Sequence, residues 1–255
     1  MEPKILVIDI ETAPASGFIW KLFDVNISLS QLIDTSKVIC FAAKWIGTKK
    51  VIFSSNQEDT HDAMVTKAWK LFDEADAVIG YNSKNFDCKI LNKEFILAGL
   101  TPPAPYKHID LLQTMRQNFK FMSNKLDHIS QELGIGKKTS HQGFDLWQKC
   151  MNNDAKAWQL MKKYNINDVK LTEELYEKVL PWLKTSFNHN EHSKDVVCPS
   201  CGSHNLTKNG KYLSPNRAYQ KYVCKNCFAH SKSCLLYTSD AADDLLCVDL
   251  GGRRI

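Results

Sequence analysis

The chain contains 255 residues, which is enough for one domain of ordinary size and a small appendage. Hydrophobic residues make up 44% and charged residues 24% of it, a balance that is typical of a folded globular protein and excludes a disordered one. No run approaches the ~18 apolar residues that a membrane span requires, and Met1 leads directly into a strand-like run. We therefore expect an intracellular protein without a signal peptide or a membrane partner.

The net charge of +5 is unevenly distributed along the chain. Residues 184–233 carry eight Lys and Arg and only two acidic residues, a net charge of +6, whereas residues 1–183 carry a net charge of +1. A basic segment of this kind favours a polyanionic partner. Residues 234–255 resemble the translation of a transposase-type sequencing adaptor, so we expect them to be a library artefact and exclude them from the fold prediction.

Alternating strand and helix patterns predict one α/β domain in residues 1–183. The apolar run 5–10 predicts a buried strand, and 38–45 and 50–54 predict two further strands that complete a meander. Helical periods follow at 58–73, 86–100, 124–133 and 153–180, with strands at 77–81 and 107–111 between them. We expect a mixed sheet flanked by helices. Residues 184–195 are polar and without an apolar period, which predicts a linker to a small module at 196–233.

Acidic residues stand at three places in this predicted domain. Asp9 and Glu11 share one face of the first strand because side chains alternate with a period of two. Asp87 follows a strand and opens a helix, which brings it near the same sheet edge. Tyr164 and Asp168 lie one helical turn apart on one face. Each pattern alone has a plainer explanation: a solvated strand end, a helix cap, and a core aromatic beside a surface acid.

Taken in order, the patterns D-x-E, N-x-x-x-F-D and Y-x-x-x-D resemble the tyrosine branch of the DEDD exonuclease superfamily, DEDDy, which has an RNase H-like fold. The likeness is greatest to exonuclease domains related to family B DNA polymerases and to phage exonucleases. It extends over residues 4–183 and is carried by the segments DIET, GYNSKNFD and YNINDVKL. The histidine branch would place its base at position 163, where this chain has Lys163.

The resemblance implies a metal-dependent 3′–5′ exonuclease that releases nucleoside 5′-monophosphates, with single-stranded DNA as the favoured substrate. Two Mg²⁺ or Mn²⁺ ions are expected in the active site, because clustered carboxylates supply the hard oxygen ligands that these ions prefer. Tyr164 is expected to position the attacking water. The implied metal ligands are Asp9, Glu11, Asp87 and Asp168. The implied substrate contacts are Thr12, Asn82 and Phe86, although core packing is an equal alternative for Phe86.

Several other polar residues in residues 1–183 are assigned plainer roles. Lys137 and Lys138, in a loop with glycines, either meet phosphate or lie on a solvated surface. Asp110 is predicted to be structural. The histidines and isolated cysteines are predicted to be structural, surface or core residues: His108, His128, His141, Cys40, Cys88 and Cys150.

Four further cysteines form two C-x-x-C pairs. The pairs are Cys198 with Cys201 and Cys224 with Cys227, and 22 residues separate them, a spacing that predicts one tetrahedral Zn²⁺ site. The module resembles zinc ribbons of transposases and phage proteins. Its basic residues and tyrosines favour nucleic acid, and a protein contact or a purely stabilising role is the alternative. The residues concerned are Lys208, Lys211, Arg217, Lys221, Tyr212, Tyr219 and Tyr222.

The expected partner is therefore nucleic acid with a free 3′ end, together with replication or repair proteins. The resemblance implies a cytoplasmic location in a bacterial or phage-infected cell. An alternative keeps the fold and loses the reaction: a catalytically inactive nucleic-acid-binding or adaptor protein. A zinc-ribbon structural protein or transposase fragment is a third reading, and it leaves residues 4–183 unexplained.

Overall fold

The computed structural model describes residues 3–140, 143–183, 187–193, 195–214 and 217–233. Three predicted features lie outside these residues: His141, positions 184–186 and 194 of the predicted linker, and the adaptor-like segment 234–255. The described chain divides into two compact units. One contains Lys4–Gln113 and Phe121–Glu174, and the other contains Thr114–Lys120 and the described residues from Leu175 onward. The predicted boundaries at 183 and 195 stay predictions.

The secondary structure consists of ten strands, six α-helices and short 3-10 turns in the described residues. The strands are β1 (Ile5–Thr12), β2 (Ser16–Gly17), β3 (Leu32–Asp34), β4 (Val38–Trp45), β5 (Val51–Ser55), β6 (Ala77–Gly80), β7 (Lys107–Asp110), β8 (Leu206–Ser214), β9 (Arg217–Cys224) and β10 (His230–Ser233). The helices are α1 (His61–Asp73), α2 (Asp87–Leu97), α3 (Leu111–Asn118), α4 (Leu126–Glu132), α5 (Phe144–Met151) and α6 (Ala155–Val179).

A five-stranded sheet forms the centre of the first unit, in the order β5-β4-β1-β6-β7. Strands β1, β4 and β5 pair antiparallel, and β1, β6 and β7 pair parallel. The predicted meander and the predicted mixed sheet flanked by helices are both confirmed.

The two faces of this sheet are covered by different helices. On one face, apolar residues of β1 pack with α1 and α2: Leu6, Ile8, Ile10, Met64, Phe72, Leu91 and Phe95. On the other face, Ile39 and Cys40 of β4 pack with Leu146 of α5 and Met161 of α6. Because side chains alternate along a strand, the odd-numbered residues of β1 point to the α6 face. This alternation aims Asp9 and Glu11 at α6.

The predicted helices and strands of residues 1–183 are confirmed, with ends shifted by a few residues. The strand predicted at 107–111 ends instead at Asp110, because the Asp110 carboxylate accepts the N–H of Leu112 at 3.0 Å and begins α3. Helices α3 and α5 and the β2–β3 pair had not been predicted. Each of these elements has eight residues or fewer, which is too short for its apolar residues to show a clear helical or strand period.

The segment around β2 and β3 leaves large apolar side chains in water. Phe18, Trp20 and Leu29 are 73%, 97% and 86% exposed. The two short strands pair antiparallel, and Gln31 donates from its side chain to the carbonyl of Phe18 at 3.0 Å. Backbone pairing and local polar contacts therefore hold this segment.

The second unit contains an antiparallel sheet in the order β10-β9-β8 beside the cysteine pairs. Phe187 and Asn188, which belong to the predicted linker, are buried, and a 3-10 turn follows at His189–His192. The described residues thus place part of the linker segment in packed structure. None of the helices in the described part of the chain combines the length and the apolar character needed to cross a membrane.

Candidate active site

An acidic centre lies where β1 and α6 face each other. Carboxylate oxygens of Asp9, Glu11 and Asp168 lie within 4.8 Å of one another. Asp9 and Glu11 come from the same face of β1, as the alternation of the strand requires, and Asp168 reaches them from α6. Three of the four predicted metal ligands are therefore brought together.

Asp87 lies beside this centre and holds the strand that carries it. Its side chain is buried, and Oδ1 accepts the backbone N–H of Ile10 at 3.1 Å. Ile10 stands between Asp9 and Glu11, so Asp87 contacts β1 between the two residues that face α6. Asp87 is outside the three-residue cluster defined by the 4.8 Å limit.

A tight turn between β6 and α2 delivers Asp87 to this position. Gly80 ends β6, and a Cβ there would lie 2.4 Å from Cβ of Ser83. Asn82 has a φ of 64°, a left-handed conformation that asparagine tolerates better than most residues. Asp110 accepts the backbone N–H groups of Asn82 and Lys84 at 3.0 and 3.1 Å. The structural role predicted for Asp110 therefore includes holding this turn.

Tyr164 and Asp168 lie on one face of α6, and both contact Lys138. The Lys138 ammonium is 2.5 Å from Oδ2 of Asp168 and 3.3 Å from the Tyr164 hydroxyl. It also stands 5.2 Å from the centroid of the Tyr164 ring. Trp147 packs edge-on against the same ring. Lys138, for which a phosphate contact or a surface position was predicted, lies in the acidic centre.

Asn165 fixes the position of Asp9. This side chain is fully buried, and its Nδ2 donates to Oδ2 of Asp9 at 2.6 Å and to the Asp9 carbonyl at 3.2 Å. Asn165 had not been singled out from the sequence. Its place next to Tyr164 and three residues before Asp168 was visible, but the strand that it contacts is 156 residues away in the sequence.

Burial and mutual repulsion favour the protonated forms of these carboxyl groups. Burial raises the pKa of Asp9 well above its ordinary value, and the charges of Asp87, Glu11 and Asp168 raise it further. Burial, followed by the charge of Asp168, raises the pKa of Glu11 to about 8. Burial raises the pKa of Asp87 to about 7, although the N–H of Ile10 lowers it in part. Burial also raises the pKa of Asp168, against the opposing effect of Lys138.

The donor set of this centre fits a hard divalent cation. Oδ1 of Asp168 is buried and has no hydrogen-bond partner among the described residues. A buried carboxylate oxygen without a partner carries a desolvation cost that a cation would remove. Oxygens of Asp9 and Glu11 lie within 4.8 Å of ligand atoms of Asp168, so one ion could bridge these side chains.

The three predicted substrate residues lie close in sequence to Glu11 or Asp87. Thr12 follows Glu11 at a bulge in the pairing of β1 with β4. Asn82 belongs to the turn described above. Phe86 precedes α2 and is 42% exposed, so its ring is not part of the core. Its exposure leaves the ring open to contact from solution.

The four cysteines of the second unit form a compact cluster. All four Sγ atoms lie within 4.8 Å of one another, with 3.6 Å between Cys198 and Cys227 and 3.7 Å between Cys201 and Cys224. A tetrahedral ion with Zn–S bonds of about 2.3 Å would separate its sulfurs by about 3.8 Å. The observed spacings fit such an ion.

The pKa of one thiol of this cluster, that of Cys224, lies below its ordinary value. Burial raises the pKa of Cys224, but the backbone N–H groups of Cys227 and Asn226 outweigh it and bring the pKa to about 7. Burial instead raises the pKa of Cys198 to about 11 and holds that of Cys227 above its ordinary value. Because a metal binds the thiolate, its binding would ionise these thiols as well.

In the sheet formed by β8, β9 and β10, the Lys232 ammonium makes cation–π contacts with two tyrosine rings. It lies 5.0 Å and 5.1 Å from the ring centroids of Tyr212 and Tyr219.

A family model of the RNase H superfamily matches residues 28–180, a range that contains Asp87, Tyr164 and Asp168 but begins after Asp9 and Glu11. The fold is similar to that of the family B DNA polymerase from the hyperthermophilic archaeon Pyrobaculum calidifontis, with a TM-score of 0.52 and 17% sequence identity. The alignment covers 86% of this chain and 32% of the polymerase, so the chain spans about a third of that protein's length. A search of curated proteins gave no significant match.

Proposed function

Because the chain belongs to the RNase H superfamily, we propose that it is a metal-dependent 3′–5′ exonuclease of the DEDDy type. It hydrolyses the terminal phosphodiester bond at the 3′ end of nucleic acid, with single-stranded DNA favoured, and releases nucleoside 5′-monophosphates. The observation that carries this proposal is the meeting of Asp9, Glu11 and Asp168 within 4.8 Å beside Tyr164.

Four carboxylates are the proposed metal ligands. Asp9, Glu11 and Asp87 would bind the metals, and Asp168 would complete the first site. The bound Mg²⁺ or Mn²⁺ ions supply a water with a lowered pKa and stabilise charge on the attacking and leaving oxygens. The carboxyl groups with raised pKa values would ionise on binding them, because a nearby cation favours the charged form.

Tyr164 is the proposed water-positioning residue. Its hydroxyl lies on the same side of α6 as Asp168, and burial holds its pKa above the ordinary range, so the phenol keeps its proton at neutral pH. A protonated phenol donates a hydrogen bond to a water oxygen and orients its lone pair. Thr12, Asn82 and Phe86 are the proposed contacts of the terminal nucleotide. The exposed ring of Phe86 suits stacking on a base.

The cysteine cluster is proposed to be a zinc ribbon with one Zn²⁺ that helps to hold the nucleic-acid strand. Support comes from the sulfur spacings and from the basic excess of residues 184–233. Lys208, Lys211 and Lys221 would contact phosphates, and Tyr212 would contribute an exposed ring for stacking. We propose that residues 1–183 are the exonuclease domain and 196–233 the ribbon.

We propose the cellular setting from the resemblance to polymerase-type and phage exonucleases. A nuclease of this kind would act in the cytoplasm of a bacterial or phage-infected cell, together with replication or repair proteins.

An end-labelled degradation assay tests the function. Single-stranded DNA and RNA carrying a 5′ label are incubated with the protein and Mg²⁺ or Mn²⁺, and Asp9→Ala is compared with Asp62→Ala, an exposed acid of α1. We expect a ladder that shortens from the 3′ end, needs metal, persists in Asp62→Ala and vanishes in Asp9→Ala. Binding of both polymers without shortening, with either metal, would instead support the inactive nucleic-acid-binding or adaptor protein.

A further inference from the structure

Lys138 places a positive charge inside the acidic centre. Its ammonium binds Oδ2 of Asp168 at 2.5 Å, whereas Oδ1 of the same carboxylate has no partner among the described residues. Asp168 is 2% exposed, so this ion pair is shielded from water on the carboxylate side. The lysine thus occupies one of the two oxygens through which Asp168 could bind a divalent cation.

The backbone around Lys138 is fixed to two helices, which makes this placement a property of the fold. The backbone N–H of Lys138 donates to Oδ1 of Asp127 in α4 at 2.7 Å. Asn167 of α6 donates to the carbonyl of Lys137 at 3.1 Å. A Cβ on Gly136 would lie 3.0 Å from Leu171, so this segment runs close to α6. The contacts aim the side chain of Lys138 at Asp168.

The amine remains charged in this setting. The neighbouring Asp168 carboxylate, 2.5 Å from the Lys138 nitrogen, favours the ammonium form of this side chain. The ammonium therefore offsets part of the repulsion among the clustered carboxylates at neutral pH.

We propose that Lys138 is an internal cation that competes with the catalytic divalent metal for the Asp168 carboxylate. The proposal rests on the metal site of the proposed function. It assigns to Lys138 a task beyond a phosphate contact: it stabilises the carboxylates before the metal arrives, and it weakens metal binding in return. The metal affinity of the protein is then set in part by this one side chain.

Direct metal-binding measurements test the competition. Isothermal titration calorimetry with Mn²⁺ is carried out on the wild type, Lys138→Met and the control Lys137→Met, in which an exposed lysine of the same loop is replaced. We expect Lys138→Met to bind Mn²⁺ on the order of tenfold more tightly, because the repulsion between the ammonium and the divalent cation and the competition for the Asp168 carboxylate are both removed. Lys137→Met is expected to bind like the wild type.

Thermal unfolding supplies the second measurement. In EDTA, Lys138→Met should have a lower Tm than the wild type, because carboxylate repulsion is no longer offset. Saturating Mn²⁺ should raise its Tm by more than it raises that of the wild type. Lys138→Arg keeps the charge and should retain the lower metal affinity, which covers the case in which Lys138→Met fails to fold.

The outcomes separate this inference from the proposed function. If the wild type does not bind Mn²⁺ at all, the proposed metal site fails and the competition fails with it. If the wild type binds Mn²⁺ and Lys138→Met binds it equally or more weakly, the competition alone is overturned. A lower Tm in EDTA together with unchanged affinity would mean that Lys138 has only a structural role.

Discussion

Asn165 connects the strand that carries Asp9 and Glu11 to the helix that carries Tyr164 and Asp168. The side-chain amide of Asn165 donates one hydrogen bond to the Asp9 carboxylate and one to the Asp9 carbonyl. These bonds fix both the side chain and the backbone of Asp9. The amide lies in the core, where a lost partner cannot be replaced by bulk water. Asn165 therefore positions a proposed metal ligand.

Replacement of Asn165 by Ala should weaken metal-dependent cleavage by about 10- to 100-fold, as is usual when a residue that orients a metal ligand is removed. The free energy of unfolding should fall by about 1 to 3 kcal/mol, because the Asp9 oxygens lose a buried donor. Cleavage rates and urea unfolding measure the two effects. Gln159→Ala, an exposed residue of the same helix, is the control. Full activity in Asn165→Ala would remove its positioning role.

The carboxyl groups of the acidic centre should make stability depend on pH when no divalent metal is bound. In the folded chain the pKa of Asp87 rises from 3.8 to about 7 and that of Glu11 from 4.5 to about 8. Between the ordinary and the raised values, the folded state binds more protons than the unfolded state. The free energy of unfolding must therefore fall as the pH rises through this interval.

Urea unfolding in EDTA between about pH 4 and pH 8 measures this fall. Asp87→Asn keeps an oxygen that can accept the N–H of Ile10 but cannot ionise, so its unfolding free energy should change less over the same interval. Asp62→Asn, on the exposed side of α1, should follow the wild type. Parallel curves for Asp87→Asn and the wild type would contradict the raised pKa of Asp87. Added Mg²⁺ should reduce the slope, because it stabilises the ionised carboxylates.

At the scale of the elements, the turn from β6 to α2 has the strictest steric requirement. Gly80→Ala would put a Cβ 2.4 Å from Cβ of Ser83 and 2.6 Å from its Oγ, and Ser83 is fully buried. We expect a loss of about 1 to 3 kcal/mol in the free energy of unfolding, the usual cost of overpacking, and lower cleavage because Asp87 shifts. Chemical denaturation and the cleavage assay measure the two effects.

A double-mutant cycle is the control for this steric explanation. Ser83→Gly removes the atoms that the new Cβ would meet, at the cost of the hydrogen bond between Ser83 and His108. Gly80→Ala should therefore cost less in the Ser83→Gly background than in the wild type. Equal costs in both backgrounds would show that the contact with Ser83 is not the cause.

The elements that bring the site together were predicted from the sequence where the signal was local. The alternation of β1 placed Asp9 and Glu11 on one face, and the helical period placed Tyr164 beside Asp168. The resemblance predicted that these acidic groups meet, but the contacts of Asn165 and Lys138 with them were not predicted, because a period identifies a face and not the side chain that reaches it from another element. No local sequence pattern distinguishes Asn165 in its helix or Lys138 in its loop. Each takes its role from a contact with a residue that is distant in the sequence.

At the scale of the whole molecule, the two compact units should depend on different interactions. The unit with the five-stranded sheet has apolar clusters on both sheet faces. The cluster around β8, β9 and β10 consists chiefly of the four cysteines, with Leu206 and Ala229. So few apolar side chains bury little surface, whereas a structural zinc site contributes about 10 to 16 kcal/mol in zinc-finger peptides. Metal should therefore dominate the stability of the cysteine module.

Removal of zinc should unfold this module and leave the central sheet folded. The wild type is expected to contain one zinc per chain by elemental analysis, and Cys201→Ser is expected to contain much less. Hydrogen exchange should show lost protection in β8 and β9 and retained protection in β1 and β6. Cys150→Ala changes a buried cysteine outside the cluster and should keep its zinc. Loss of protection in β1 as well would mean that the sheet needs the zinc module to fold, and unchanged zinc content in Cys201→Ser would exclude the four-cysteine site.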